Sequence, residues 1–178
     1  MSGPGTGMSV RVREERPEDV EAIRQVNEEA FEQPVEARIV GRLRDQGAVL
    51  LSLVALAGER IVGHALYSPV RLESEAGSLE GAGLGPMAVR PVAQRRGVGS
   101  ALIAEGTRRL REHGCRFVVV LGHSQYYPRF GFVPASRHGV RCAWDVPDEA
   151  FMLLPLDVAR LRGQSGIARY REEFGAVA

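Results

Sequence analysis

The sequence predicts a single α/β domain with a mixed central sheet flanked by helices. Its length of 178 residues suits one domain, and its 44% hydrophobic and 25% charged residues are typical of a globular protein with a buried core. Strand-like and helix-like patterns follow the order strand, two helices, three strands, helix and further strands. Because strands and helices do not alternate regularly, we expect a mixed sheet rather than a parallel one.

The first part of the chain predicts one strand and two helices. Apolar and charged residues alternate over residues 10–14, as in a half-buried strand. Apolar residues then recur at three- and four-residue steps over residues 17–31 and 34–47. This spacing predicts two amphipathic helices that begin at Pro17 and Pro34.

The middle of the chain predicts a hairpin, a third strand and a long helix. Apolar residues 49–57 and 61–70 flank the turn pair Gly58-Glu59, which is typical of a β-hairpin. A strand over residues 83–90 and a helix over residues 97–113 follow.

The last predicted elements are two strands with a short helical turn between them. Residues 117–121 form an apolar run too short for a helix, which predicts a strand buried on both faces. A helical turn over residues 125–130 and a strand over residues 151–156 complete the series.

These elements place one domain between two terminal segments. Residues 1–7 lack a charged region and an apolar core, so they predict a flexible tail rather than a signal peptide. Residues 8–156 form the domain, and residues 157–178 are expected to be an extension packed on the domain or on a partner subunit. No run approaches the about 18 apolar residues of a membrane span, which favours a cytoplasmic protein with no membrane partner.

Composition excludes several function classes. The 23 basic residues are all arginine and nearly balance 22 acidic residues, so nucleic acid is not expected as a partner. The absence of lysine excludes a pyridoxal phosphate Schiff base and a P-loop. Cys115 and Cys142 have no Cys/His spacing typical of a zinc site near them, so no metal is expected.

The segment of residues 84–100 carries the most informative pattern, a strand followed by a glycine-containing turn and a helix start. Gly97 and Gly99 let a ligand approach the backbone, and the helix N-terminus offers unpaired N–H groups with partial positive charge. Arg95 and Arg96 add two cations. The pattern predicts a phosphate or pyrophosphate site, although glycines at a helix start also occur simply as turn residues.

Two motifs resemble the GNAT family of acetyl-CoA-dependent N-acetyltransferases. The string Gln94-Arg-Arg-Gly-Val-Gly is similar to the family's Arg/Gln-x-x-Gly-x-Gly/Ala motif, and Tyr127-Pro-Arg-Phe-Gly-Phe is similar to its Tyr-x-x-x-Gly-Phe element. The predicted elements fit from about residue 10 to residue 156. The longer string over residues 122–132 resembles a branch of bacterial predicted acetyltransferases. The resemblance implies the GNAT-like acyl-CoA N-acyltransferase fold.

The resemblance also implies how acetyl-CoA, the cosubstrate, would bind. Its pyrophosphate should lie on the backbone amides of residues 95–100, and its pantetheine arm should pair like an extra strand with residues 87–89. An amide of that strand would polarise the acetyl carbonyl. The residues expected to bind the cosubstrate are Met87, Ala88, Val89, Gln94, Arg95, Arg96, Gly97, Val98, Gly99 and Ser100.

Tyr127 matches the family's tyrosine near the CoA sulfur and is expected to protonate the departing thiolate; the alternative is a core tyrosine. Its neighbour Tyr126 is expected to pack elsewhere. The general base is open. Glu80 is the nearest upstream carboxylate, but it lies too early in its strand to serve as the base. His123 follows a strand, at a place where the family often has asparagine. His123 is therefore either a catalytic or a structural histidine. His64 is expected to be a packed or substrate-side residue.

Charge is distributed unevenly along the chain. Residues 11–36 contain four arginines and nine acids, whereas residues 90–116 contain seven arginines and two acids. The basic region coincides with the expected phosphate site. Glu28, Glu32 and Glu36 lie near the junction of the first two helices, which resembles a wall of the acceptor site in GNAT folds. They are expected to bind a cationic amine, or else to form an ordinary solvated helix face.

Together these patterns favour an enzyme that acetylates an amine of a small molecule or a protein by direct transfer in a ternary complex, without a metal. One alternative is a CoA-sensing or interaction module that does not turn over. Another is a transferase for a different acyl-CoA. Dimerisation is common in such folds, so a homodimer to which residues 157–178 contribute is also open.

Overall fold

The computed structural model describes residues 8–177, and the predicted flexible tail over residues 1–7 lies outside them. The helices are α1 (Val20–Phe31), α2 (Val35–Asp45), α3 (Val98–Glu112) and α4 (Val158–Leu161). The strands are β1 (Arg11–Glu14), β2 (Leu51–Ala57), β3 (Arg60–Ser74), β4 (Gly77–Val89), β5 (Phe117–Leu121), β6 (Val133–Pro134), β7 (Val140–Cys142), β8 (Phe151–Pro155) and β9 (Gly166–Arg169). No helix in this part of the chain is long and apolar enough to cross a membrane.

The strands form one mixed sheet between helices, which confirms the predicted fold class. The strand order is β1-β2-β3-β4-β5-β8-β6, and β9 joins both β3 and β7. Neighbouring strands are antiparallel except for the pairs β4–β5 and β7–β9. The parallel step from β4 to β5 requires a crossover connection, which α3 provides.

The β3–β4 hairpin is longer than the apolar pattern predicts, because its far end is polar. At this end the apolar pattern that predicts strands is lost, and other contacts stabilise the pairing of β3 with β4. Arg71 and Glu80 form a salt bridge across the hairpin with an N–O distance of 3.2 Å. β9 also pairs with residues 71–73 of β3. β9 was not predicted, because the signals within residues 157–178 are weak and its place depends on this distant partner.

Helices and the C-terminal segment cover the sheet differently on its two faces. α1 and α2 pack on one half of the first face through Ile23, Val26, Ile39, Val40 and Leu43. α3 packs on the opposite face with Val118 and Val120 of β5, whereas Val119 packs with the segment that contains β7 and β9. Because side chains alternate along a strand, this segment shares a face with α1 and α2.

A polar network is buried between α1, β2 and β3. Ser52 donates its hydroxyl proton to Glu15, so its oxygen accepts from His64 Nε2 at 2.9 Å. His64 Nδ1 then accepts from Asn27 Nδ2 at 3.2 Å, which makes His64 a neutral imidazole protonated on Nε2. Burial, and to a smaller extent the charge of Arg44, lowers the pKa of His64 from 6.5 to about 3. His64 is therefore a packed residue.

Candidate functional site

β4 and β5 diverge in the middle of the sheet and leave an open strand edge. They pair only over residues 82–84 and 118–120, whereas β4 continues to Val89 paired with β3. Near Gly85 and Pro86 the β3–β4 register shifts, so β4 carries an extra residue there. Within residues 8–177, the edge of residues 85–89 that faces β5 has no strand partner. It can therefore pair with an extended ligand.

The turn before α3 presents a row of backbone N–H groups. Arg95 and Gly97 adopt left-handed conformations, with φ of 60° and 86°, which bend the chain sharply. The first helical hydrogen bond runs from Ala101 N–H to Gly97 C=O at 3.0 Å, so the N–H groups of residues 98–100 have no acceptor within the helix. With the positive end of the helix dipole, these groups can bind a phosphate.

The open edge and the turn share one cavity of about 1050 Å³. Eight of the ten residues predicted to bind the cosubstrate line it: Met87, Val89, Gln94, Arg95, Gly97, Val98, Gly99 and Ser100. The side chain of Ala88 instead packs into the core beneath α1 and α2, so it can contribute only through its backbone. Arg96 is exposed and lies outside the cavity lining.

Sequence reasoning missed Arg129, which also lines this cavity. Its guanidinium carbon lies 4.6 Å from the ring centroid of Tyr126, a cation–π distance. Tyr126, expected to pack elsewhere, lines the cavity too, and a Cβ built on Gly99 would overlap its hydroxyl. Arg129 therefore adds a cation beside the turn. The sequence feature that could have identified Arg129 is its position in the Tyr-Pro-Arg-Phe string.

Tyr127 lies at the wall of the cavity in a mostly apolar environment. It is 8% exposed, and its ring packs edge-on against Tyr126 and Phe132 at centroid distances of 5.1 and 5.7 Å. Burial, with a smaller contribution from Tyr126, raises the pKa of Tyr127 to about 12. Its hydroxyl therefore remains protonated at neutral pH and can donate a proton.

His123 is the histidine that the structure brings to the cavity. It follows β5, is exposed, and lines the cavity together with Gly122 and Tyr127. Its carbonyl accepts from Tyr126 N–H at 3.1 Å, which closes the turn that carries both tyrosines. Glu80 lies elsewhere, in the polar end of the β3–β4 hairpin.

Of the three acids predicted to bind the acceptor, the structure brings only Glu36 to the cavity. Glu36 is half-buried, and its Oε1 accepts from Gln33 Nε2 at 3.1 Å. Glu28 lies on the outer side of α1 in a salt bridge with Arg24 at 2.6 Å. Glu32 is exposed at the residue after α1, where φ is 55° and the chain turns away.

Three aromatic residues that sequence reasoning missed form part of the cavity wall. Trp144 and Tyr170 stack with their ring centroids 5.1 Å apart and their planes 20° apart, and Phe174 meets Tyr170 edge-on at 5.5 Å. All three line the cavity, and we call them the aromatic wall. Trp144 follows β7, Tyr170 follows β9 and Phe174 lies in the 3-10 helix Glu172–Val177, and no periodic pattern in the sequence indicates them.

Gly83 of β4 provides the space for this wall. A Cβ at this position would lie 2.7 Å from Tyr170 Cε1 and 2.8 Å from Val70 Cγ2. We expect Gly83→Ala to displace Tyr170 and to lower the free energy of unfolding by about 1–3 kcal/mol, the usual cost of overpacking. Urea unfolding measures this loss, and the emission of Trp144 reports the displacement.

The matched control for this substitution is Gly41→Ala in α2, where the added Cβ has nothing within 4 Å. Alanine in a helix should stabilise the protein by about 0.5–1 kcal/mol relative to glycine. Equal stability of the Gly83→Ala variant and the wild type would show that Tyr170 does not need this space.

Neither cysteine belongs to the cavity. Burial raises the pKa of both Cys115 and Cys142, which disfavours the reactive thiolate form. Within residues 8–177, no group of three or more His, Cys, Asp or Glu side chains could hold a metal ion.

The cavity therefore combines parts suited to acyl transfer from a long phosphorylated donor. The turn before α3 can bind phosphates, the edge of β4 can pair with an extended arm, and Tyr127 can protonate a leaving group. The aromatic wall lies toward α2, the helix that carries Glu36, because Phe174 contacts Tyr170 and packs with the core residues of α2. Holding two reactants in one cavity is itself a large source of rate acceleration.

Comparison with known proteins agrees with this geometry. A family model described as an acetyltransferase (GNAT) domain matches residues 11–135. An Escherichia coli (strain K12) protein named "Uncharacterized N-acetyltransferase YhbS" is 35% identical over 164 residues, which cover 92% of this chain and 97% of that protein. A second E. coli K12 protein, "Uncharacterized N-acetyltransferase YjhQ", is 39% identical over 74% of each chain.

Two solved structures are similar over nearly the whole chain. The crystal structure of YhbS from E. coli in complex with CoA has a TM-score of 0.90 and 32% identity, and the match covers 100% of this chain and 97% of the other. A GNAT family acetyltransferase from Brucella melitensis in complex with acetyl-CoA has a TM-score of 0.77 and 34% identity, with 94% and 99% coverage.

Proposed function

This chain belongs to the GNAT family of acetyl-CoA-dependent N-acetyltransferases, and from that membership we propose that it transfers the acetyl group directly to a primary amine in a ternary complex. The observation that carries the proposal is the shared cavity. It joins the open edge of β4, the N–H groups before α3 and the hydroxyl-bearing Tyr127. Similar chains bind CoA and acetyl-CoA, which supports the same donor here.

In the proposed complex, the donor's pyrophosphate accepts hydrogen bonds from the N–H groups of residues 98–100. Arg95 and Arg129 neutralise its charge from the cavity wall, and Arg96 adds a cation outside the lining. The pantetheine arm lies along residues 85–89. An N–H group of this strand polarises the thioester carbonyl and stabilises the oxyanion of the tetrahedral intermediate.

The reaction then needs one base and one acid. The neutral amine nitrogen attacks the carbonyl carbon, the amine loses a proton to a base, and the C–S bond breaks as the carbonyl re-forms. We assign the base to His123, which borders the cavity, and the acid to Tyr127, which gives its proton to the thiolate. Direct transfer is supported by the absence of both cysteines from the cavity lining.

Calorimetric titration of the protein with acetyl-CoA, and separately with CoA, tests the donor site. We expect Gly97→Glu to weaken both affinities by about 100-fold, because it places a negative charge beside the phosphates and strains a residue with φ of 86°. The matched control is Gly114→Glu at the other end of α3, where φ is 77° and the side chain also enters open space.

The Gly114→Glu variant should bind acetyl-CoA as the wild type does, because it has the same backbone strain as Gly97→Glu but lies away from the proposed phosphate site. Failure of the wild type to bind either nucleotide would refute the proposed function. Binding without thiol release in the presence of any amine would favour a CoA-sensing module instead.

A further inference from the structure

The acceptor end of the cavity has the composition of a pocket for a specific small molecule. Apolar side chains predominate in the cavity lining, among them the aromatic wall, Phe31 and Ile39. Phe174, in the 3-10 helix Glu172–Val177, also packs against the core beneath α2. Such pockets typically combine apolar walls with a few polar groups that fix the ligand's orientation.

Two polar atoms at this end lack partners. The hydroxyl oxygen of Tyr170 and Oε2 of Glu36 are buried and make no hydrogen bond within residues 8–177. Buried polar groups are almost always hydrogen-bonded, because leaving one unpaired costs free energy. Both residues line the cavity, so a ligand there can supply the missing partner of Glu36 Oε2. A carboxylate accepts only, so its partner must be an N–H or O–H donor.

We propose that the acceptor is a small arylalkyl amine, a primary amine joined by a short alkyl chain to a flat aromatic ring. This inference rests on the proposed function. The ring packs against the Trp144–Tyr170 stack, because aromatic rings prefer such offset arrangements. The amine donates to Glu36 Oε2 and is held for attack on the thioester. Among the described residues of the lining Glu36 is the one acid, so a polyamine would lack a second carboxylate.

Trp144 provides a direct binding signal, because it is the only tryptophan in the chain. The protein is saturated with CoA, which cannot donate an acetyl group, and titrated with phenethylamine, 2-cyclohexylethylamine or 1,6-diaminohexane. We expect a saturable change in Trp144 emission with phenethylamine, at a dissociation constant at least tenfold below those of the other two amines. Thiol release from acetyl-CoA should rank the three amines in the same order.

Variants separate the two parts of the pocket. Trp144→Leu should remove the preference for the aromatic amine. Glu36→Gln should raise the KM for all three amines about tenfold. Neither variant should change the affinity for acetyl-CoA. Glu59→Gln, in the exposed turn between β2 and β3, is the matched control and should change neither the amine preference nor the KM values.

The outcomes distinguish this inference from the proposed function. Thiol release with equal efficiency for aliphatic and aromatic amines, without a change in Trp144 emission, would overturn the inference and leave the proposed function intact. A saturable emission change without thiol release from any amine would support the pocket and overturn the proposed function. No response in either assay would overturn both.

Discussion

Replacing Tyr127 with phenylalanine should lower kcat by about 100-fold or more while acetyl-CoA affinity stays within about twofold of the wild type. General acid catalysis typically contributes a factor of 10²–10⁴, and this substitution removes the proton that the thiolate needs. The ring contacts with Tyr126 and Phe132 are retained, so the cavity keeps its shape. Steady-state thiol release gives kcat, and calorimetry gives the affinity.

Tyr67→Phe is the matched control for this substitution. Tyr67 is also a buried tyrosine, but its hydroxyl donates to the carbonyl of Leu102 at 3.4 Å and it lies outside the cavity lining. Its variant should keep the wild-type kcat. A Tyr127→Phe variant with full activity would make Tyr127 a core residue and assign the proton to another group.

The pH dependence of kcat offers a second view of the same acid. Since burial raises the pKa of Tyr127 to about 12, its proton is present across the range in which the protein can be assayed. Loss of this proton therefore cannot cause a fall of activity toward alkaline pH within that range. His123→Ala should lower kcat, because it removes the base assigned above, and an unchanged kcat would assign the base to another group.

The residues proposed to bind the donor could be recognised in the sequence because they lie in short local segments. The turn before α3 and the helical turn at Tyr127 are each encoded by a short contiguous segment, residues 94–99 and 127–132, with glycine and arginine at fixed spacings. Of the proposed acceptor end only Glu36 was predicted, and its aromatic residues were not. Tyr170 and Glu36 line one cavity because β9, which precedes Tyr170, pairs with β3, and no short pattern encodes the proximity of residues so distant in sequence.

The same distinction explains which elements were predicted well. The limits of β5 match the prediction because its five apolar residues form a short strand whose first four positions are buried. The polar end of the β3–β4 hairpin was missed, because its strands are defined by pairing with each other and with β9 rather than by apolar alternation.

Acidification should destabilise the protein by about 2 kcal/mol between pH 7 and pH 5 through His64 alone. Its pKa is about 3 in the folded protein, against an ordinary value of 6.5 that applies to the unfolded chain. Between these values the unfolded chain binds a proton that the folded protein does not, so the free energy of unfolding falls as the pH falls. The slope approaches about 1.4 kcal/mol per pH unit.

Urea unfolding at pH 7, 6 and 5 measures this effect, with His64→Gln as the variant that cannot titrate. The variant should lose less stability on acidification, although it starts lower because the buried hydrogen bonds are imperfectly replaced. Carboxylates such as Asp19, whose pKa is lowered mainly by its hydrogen bond with Arg13, lose their contribution only below about pH 4. The difference between the wild type and His64→Gln over pH 7 to 5 therefore measures the contribution of His64.

The competing possibility is that protonated His64 forms an ion pair with Glu15, whose carboxylate lies 3.9 Å from Nε2. Two contacts oppose it. Arg44 already neutralises that carboxylate at 2.8 Å, and a proton on Nδ1 would face the amide donor of Asn27. Asn27→Asp tests this reasoning, because a carboxylate in place of the amide would accept from the charged ring. We expect that variant to lose less stability between pH 7 and 5 than the wild type, whereas an ion pair with Glu15 would make the wild type itself insensitive to pH.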